Sequence, residues 1–157
     1  MRIGTRTRLF LATMLPVLAS GVAVVLFLGY DAGRDARERA WETLERVRDT
    51  LVAHPAIGGR DDRALDAAVR LAGAASGVRV TVIDDDGHVL ADSDVAPGRV
   101  AALDNHRNRP EVREALASGH GRSGRYSETL HAPMVYLAAR RDGPDGPRVL
   151  RLSYAVE

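Results

Sequence analysis

Twenty consecutive residues, Leu9 to Leu28 (LFLATMLPVLASGVAVVLFL), carry no charge. At ~1.5 Å per residue, a helix of that length reaches ~30 Å, the thickness of a bilayer's hydrocarbon core. A lone segment in lipid satisfies its backbone hydrogen bonds only as a helix. Pro16 and Gly21 weaken a soluble helix but are tolerated in one that crosses a membrane. The sequence therefore predicts a cytoplasmic tail over 1–8, a transmembrane helix over 9–30, and everything else outside the bilayer. Arg2, Arg6 and Arg8 precede the span with no acid among them, which places the tail in the cytoplasm and residues 31–157 in the extracytoplasmic space. The expected location is the plasma (inner) membrane, crossed once. A cleaved signal peptide shares the basic tail and apolar core, and Leu18-Ala19-Ser20 offers a small-residue site. Its apolar core is ordinarily about 7–15 residues, whereas here apolar chain continues to Leu28.

The remainder, about 125 residues, is enough for one domain with its own core. A formal charge of +1 gives no net field toward nucleic acid. The absence of cysteine excludes disulfides and thiolate metal sites. From Tyr30 to about Ala53, Trp41, Leu44, Val47 and Leu51 recur at helical spacing on a charged rod. This predicts a long helix over 31–54 that ends at His54-Pro55. A stripe so narrow suits a two-helix seam as well as a packed face, and the expectation is a dimer seam formed by those four residues. Gly58-Gly59 reads as a loop, and Asp61 or Asp62 caps a second helix that runs to about Ala75 and stops at Gly77.

From Val78 the period changes to two. Val78, Val80 and Val82 make a half-buried strand, Asp84-Asp85-Asp86-Gly87 a turn, and Val89-Leu90-Ala91 the partner strand. Asn108, Pro110 and Glu111 form a helix start, with Asn108 as cap, and Gly119 is its stop. Arg125 to Leu130, Met134 to Arg140 and Arg148 to Val156 read as three more strands, the last two separated by a loop at Gly143–Pro147. Short connections imply antiparallel pairing. The fold class is α+β, with a folded core over 61–157 built on a five-stranded antiparallel sheet with flanking helices.

The run Val80-Thr81-Val82-Ile83-Asp84-x-x-Gly87-x-Val89-Leu90-Ala91-Asp92-Ser93 resembles the central hairpin of an extracytoplasmic PAS-like (Cache-like) sensor domain. It is followed by Asn105-His106-x-x-Arg109-Pro110-Glu111-Val112, by Gly124-Arg125-Tyr126-Ser127 and by Met134-Val135-Tyr136-Leu137-Ala138. That order is similar to the sensor region of phosphate-regulon-type two-component sensor histidine kinases. The resemblance implies a homodimeric membrane kinase whose external domain biases a cytoplasmic phosphorelay. The chain reaches Glu157 without a second apolar span, a phosphoacceptor helix or a glycine-rich nucleotide motif. None of His54, His88, His106, His120 or His131 is followed by an acid. The expectation is an input region truncated before the second span and kinase core, not itself an enzyme. The sensor of a chemoreceptor or cyclic-dinucleotide enzyme, or a secreted ligand-binding domain, are the alternatives.

Two clusters bear on chemistry. Asp84-Asp85-Asp86 supplies carboxylates suited to a hard cation, but consecutive turn residues point apart, and a solvated hairpin turn is the expected role. Asn105, His106 and Arg109 sit at a helix entrance, with Arg125 and Tyr126 on a strand that the helix crosses. If they converge they make a pocket for a small anionic ligand. The alternative is that Asn108 caps the helix, His106 bonds to the backbone and Arg109 pairs with an acid. No metal site, cofactor or nucleic-acid partner is expected; membrane lipid, a second copy, and a small anion or partner protein are. Tyr136 and Tyr154 read as core or rim aromatics.

Overall fold

A computed structural model describes residues 5–128 and 130–156. Of the expected tail and its basic flank, residues 1–4 with Arg2, and the side chain of Arg8, lie outside the described residues, as does Glu157. The chain divides into an N-terminal unit that ends at Ala36 and a second unit, Arg37–Glu157. Helix α1, Thr5–Val52, supplies the first unit and begins the second. In the first unit it is long and apolar enough to cross a membrane, by length and composition. Its large apolar side chains there are exposed in the protein alone, Leu15, Val25 and Leu26 by more than two-thirds.

The second unit is α+β. After α1 come α2 (Pro55–Gly58), α3 (Asp62–Ser76), β1 (Arg79–Asp84), β2 (Val89–Asp92), α4 (Pro97–Val100), α5 (Pro110–Ser118), β3 (His120–Ser127), β4 (Ala132–Gly143) and β5 (Gly146–Ala155). All strand pairs are antiparallel, and the sheet order is β2-β1-β5-β4-β3. The last strand is thus inserted between the hairpin and the meander. That places Leu150 and Leu152 at the centre of the sheet, where both neighbours are paired and both faces are covered.

Side chains alternate between faces, so register decides what each face carries. Val80, Val82, Leu150, Leu152, Val135 and Leu137 share one face, none more than 1% exposed. Ala40, Leu44 and Leu51 of α1, Ile57 of α2, and Leu65 and Val69 of α3 close over it. This corrects the expected dimer seam. Leu44 and Leu51 lie in the domain's own core, and Trp41 and Val47 pack half-buried against it. A bare sheet face of aliphatic residues is the larger apolar surface available, and the stripe covers it. The C-terminus of α1 is fixed there too, since Arg141 of β4 donates to the Val52 carbonyl.

Helix limits follow the local chemistry with some differences. Asp61 caps α3 by accepting from the Arg63 and Ala64 amides at 2.9 and 3.1 Å. The segment read as a loop at Gly58 is the end of α2, which His54 caps from Nδ1. Asn108 does not cap α5; Arg109 occupies that position without a side-chain hydrogen bond. Strand β3 begins five residues before the expected Arg125, and the expected loop at 143–147 is a two-residue hairpin turn with Gly143 opposite Gly146.

If α1 packs within its own chain, Leu44→Ala destabilises the domain by about 2–5 kcal/mol, and the denaturation midpoint does not vary with protein concentration. Leu71→Ala, at a 73% exposed position of α3, changes stability by less than about 0.5 kcal/mol. Urea unfolding of the full chain in detergent micelles measures both.

Candidate functional site

The second sheet face is divided. Toward the β1–β2 turn it is apolar, and Ile83, Val149 and Ala138 pack under Val100 of α4 and Val112 and Ala115 of α5. Toward the other end the same face carries Arg79, Thr81, Asp92, Arg151, Ser153, Tyr136, Ser123 and Arg125, as the cross-strand pairs Thr81↔Asp92, Thr81↔Arg151, Tyr136↔Ser153 and Ser123↔Tyr136 require. Burying so much polarity costs free energy unless every group is paired.

The pairing is centred on Glu111, in the first turn of α5 and fully buried. Its Oε1 accepts from Arg151 Nε at 2.8 Å, and its Oε2 accepts from Ser123 Oγ at 2.6 Å and Arg125 Nη1 at 3.3 Å. Both guanidiniums also stack on the Tyr136 ring, Arg125 at 3.8 Å and Arg151 at 4.5 Å from its centroid. Burial pushes the Glu111 carboxyl up, but the Ser123 hydroxyl and Arg151 outweigh it and hold the group below its ordinary value of 4.5. Burial likewise lowers Arg151, which Glu111 partly restores. Asp92, also fully buried, accepts from Thr81 Oγ1 at 2.8 Å and Arg79 Nε at 3.1 Å.

A cleft of ≈ 1040 Å³ opens beside this network, where β1 begins and β5 ends. Arg79, Arg109, Arg125 and Arg151 reach it, with His106 between them and Asp94, Asp104 and Glu128 toward the rim. Leu103, Met134, Tyr126 and Tyr154 supply apolar wall. Two guanidiniums share the single Glu111 carboxylate. Arg109, half-buried at the start of α5, makes no ion pair or side-chain hydrogen bond among the described residues. The floor can therefore take a carboxylate or similar anion through planar guanidinium forks.

Of the five residues expected to converge, four line the cleft: His106, Arg109, Arg125 and Tyr126. Tyr126 contributes from the strand's other face and is 55% exposed, so it belongs to the rim. Asn105 is not in the cleft lining. It docks the β1–β2 turn, donating from Nδ2 to the Asp86 carbonyl at 2.9 Å while Oδ1 accepts from the Arg107 amide at 2.9 Å. Gly87 in that turn has φ +91°, and any side chain would collide with the Arg107 amide. His106 bonds through Nδ1 to the Asp104 carbonyl at 2.6 Å. Burial lowers its pKa from the ordinary 6.5, the Asp104 carbonyl opposes this, and Arg151, Arg109 and Arg79 lower it further. Among the described residues no group of acids and histidines is gathered as a metal site, and Asp84-Asp85-Asp86 forms the turn.

Sequence reasoning missed Glu111, Arg151, Ser123 and Tyr136 as members of one network, and Arg79 as the partner of the buried Asp92. The available signal was Arg151, a charge held between Leu150 and Leu152 in the middle of a strand, which demands a buried acid as partner. No protein-family model matches the chain, and no curated protein matches it. The site rests on its geometry.

Glu111→Ala leaves Arg151 buried without its partner and lowers stability by about 3–5 kcal/mol. Both Glu111 and His106 have folded-state pKa values below their ordinary ones, so the unfolded chain binds more protons. Their contributions are complete above pH 6.5 and are lost as pH falls, first the His106 part below 6.5 and then the Glu111 part below 4.5. Denaturation across pH 3 to 8 shows both steps in the wild type, and only the lower one in His106→Gln.

Proposed function

We propose that this chain is the membrane-anchored, signal-sensing input region of a two-component sensor histidine kinase, and that its cleft receives a small anionic ligand outside the cytoplasm. One observation carries the reading: a buried arginine–carboxylate network opens into a cleft on one face of a five-stranded antiparallel sheet, in a chain that begins with a helix apolar enough for a membrane. Such a sheet with flanking helices is the arrangement that a PAS-like sensor implies. The arginine-rich N-terminal flank supports an orientation with that end in the cytoplasm. A secreted binding domain would use the same cleft, and a chemoreceptor would use the same sheet; the continuous apolar stretch to Leu28 favours the anchored reading.

In mechanism, an anion that reaches the cleft exchanges water for Arg109 and Arg125. Binding biases the domain only to the extent that one packing of sheet and helices holds the anion better than another. The homodimer that the resemblance implies would not rest on Leu44 and Leu51, because those two residues of the stripe lie in the core of their own subunit.

Two measurements test this reading. Carbonate-washed membranes should retain the full-length chain, and an alkaline phosphatase fused after Glu157 should be active. A soluble chain or a cytoplasmic fusion refutes the anchor and its orientation. Thermal melts of the detergent-solubilised chain with inorganic phosphate, succinate and benzoate at millimolar concentration should show stabilisation by at least one. Arg125→Ala or Arg109→Ala should weaken that effect about tenfold or more, the loss expected for a charge-assisted hydrogen bond. Melts indifferent to all three anions refute the ligand class.

A further inference from the structure

Strand β3 is one of the two edge strands of the sheet, paired only with β4. On the cleft side its Ser123 hydroxyl donates to Glu111 of α5 at 2.6 Å, and Arg125 lies 3.3 Å from the same carboxylate. On the open edge the Arg122 amide donates to Glu114 Oε2 of α5 at 3.1 Å. The backbone of α5 presses on Gly121 so closely that a Cβ there would stand 2.8 Å from the Glu114 side chain and 3.0 Å from the Ala115 nitrogen. Strand and helix thus move together or separate.

The side chain of Arg122 points to the other face of the sheet. There it pairs with Glu45 of α1 and stacks on Trp41, 5.3 Å from the ring centroid. The buried sheet residues that meet α1 on that face are aliphatic, and aliphatic contacts are non-directional; the other polar contact, Arg141 to the Val52 carbonyl, lies at the C-terminal end of α1, outside residues 41–48. The Arg122 contact is directional, because the guanidinium must satisfy a carboxylate and a ring at once.

We infer that β3 couples the cleft to α1, with Arg122 as the positioning residue through which a shift of α5 or of the Glu111 network reaches Glu45 and Trp41. The biological use of this coupling rests on the sensing role proposed above. Arg125 is the looser of the two arginines on Glu111, at 3.3 Å against 2.8 Å for Arg151. An anion that draws Arg125 into the cleft loosens its hold on Glu111. The displaced strand has only one neighbouring ladder to restrain it, and it carries Arg122 with it.

Amide hydrogen exchange of the full chain in detergent micelles, read by mass spectrometry, tests the coupling. The reporting segment is 41–48 of α1. The reference is 65–71 of α3, which packs on the same apolar face through Leu65 and Val69 and holds none of the β3 contacts above. Arg125→Ala should raise exchange in 41–48 severalfold and leave 65–71 unchanged. In an Arg122→Ala background, adding Arg125→Ala should raise 41–48 no further. An equal rise in both segments, the same increment with and without Arg122, or no rise in 41–48 overturns the inference. Ser123→Ala, which removes one hydroxyl from the network, carries the same comparison if Arg125→Ala folds poorly. No ligand enters this experiment, so its failure leaves anion binding intact, and a failure to bind anions leaves the coupling intact.

Discussion

A carboxylate with no access to water is tolerated only where donors replace its hydration, and Glu111 is placed where three do so. That requirement ties the first turn of α5 to β3 through Ser123 and Arg125, and to β5 through Arg151. It also explains why one end of this sheet face is polar although the other end is an ordinary aliphatic core. Arg151 brings a second obligation, because a buried guanidinium needs its acid as much as the acid needs it. Tyr136 lies between the strands that carry the two arginines and offers its ring to both. The cleft is the space left where the helices that cover the apolar half do not extend over the charged half.

The opposite face obeys a different rule. Its buried centre is aliphatic and its arginines lie toward the margins, so area removed from water and shape decide what covers the centre. Residues 37–52 of α1, with α2 and α3, fill that role. Arg141 on the Val52 carbonyl and Arg148 on the Ile57 carbonyl fix where those helices end. The apolar stripe on α1 is therefore an internal seam. Its charged flanks face outward except at Glu45, where Arg122 crosses from the sheet edge. The domain thus has a non-directional core on one side, a directional polar network on the other, and an edge strand that touches both.

That arrangement gives the proposed sensor a physical basis. Binding energy at an arginine floor is local, and a packed aliphatic core transmits little direction. Strand β3 has fewer hydrogen-bonded neighbours than β1, β4 or β5 and is bound by polar contacts to helices on both faces. It is the element whose displacement is both affordable and informative. The half-buried His106 stands among the same arginines, which with burial lower its pKa from the ordinary 6.5.

Much of this was legible in residue order. The apolar span, a cap for α3 at Asp61 or Asp62, the β1–β2 hairpin, and the stops at Gly77 and Gly119 are set by neighbours a few residues apart, and the sequence alone determined them; the structure chose Asp61. Strand β3 was read five residues short because Gly121 and Gly124 are poor strand formers; here contact with α5 and pairing with β4 outweigh propensity. Asn105 looked like a ligand contact and proved to be a turn anchor, since its partner, Asp86, is 19 residues away. Whether Trp41, Leu44, Val47 and Leu51 cover another helix or a sheet depends on which surface lies opposite, and a one-dimensional pattern does not contain that. The union of Glu111, Arg125 and Arg151 likewise exists only once β5 has inserted beside β4 and α5 has crossed β3. Local chemistry chose the elements; long-range burial of charge and of aliphatic area chose their partners.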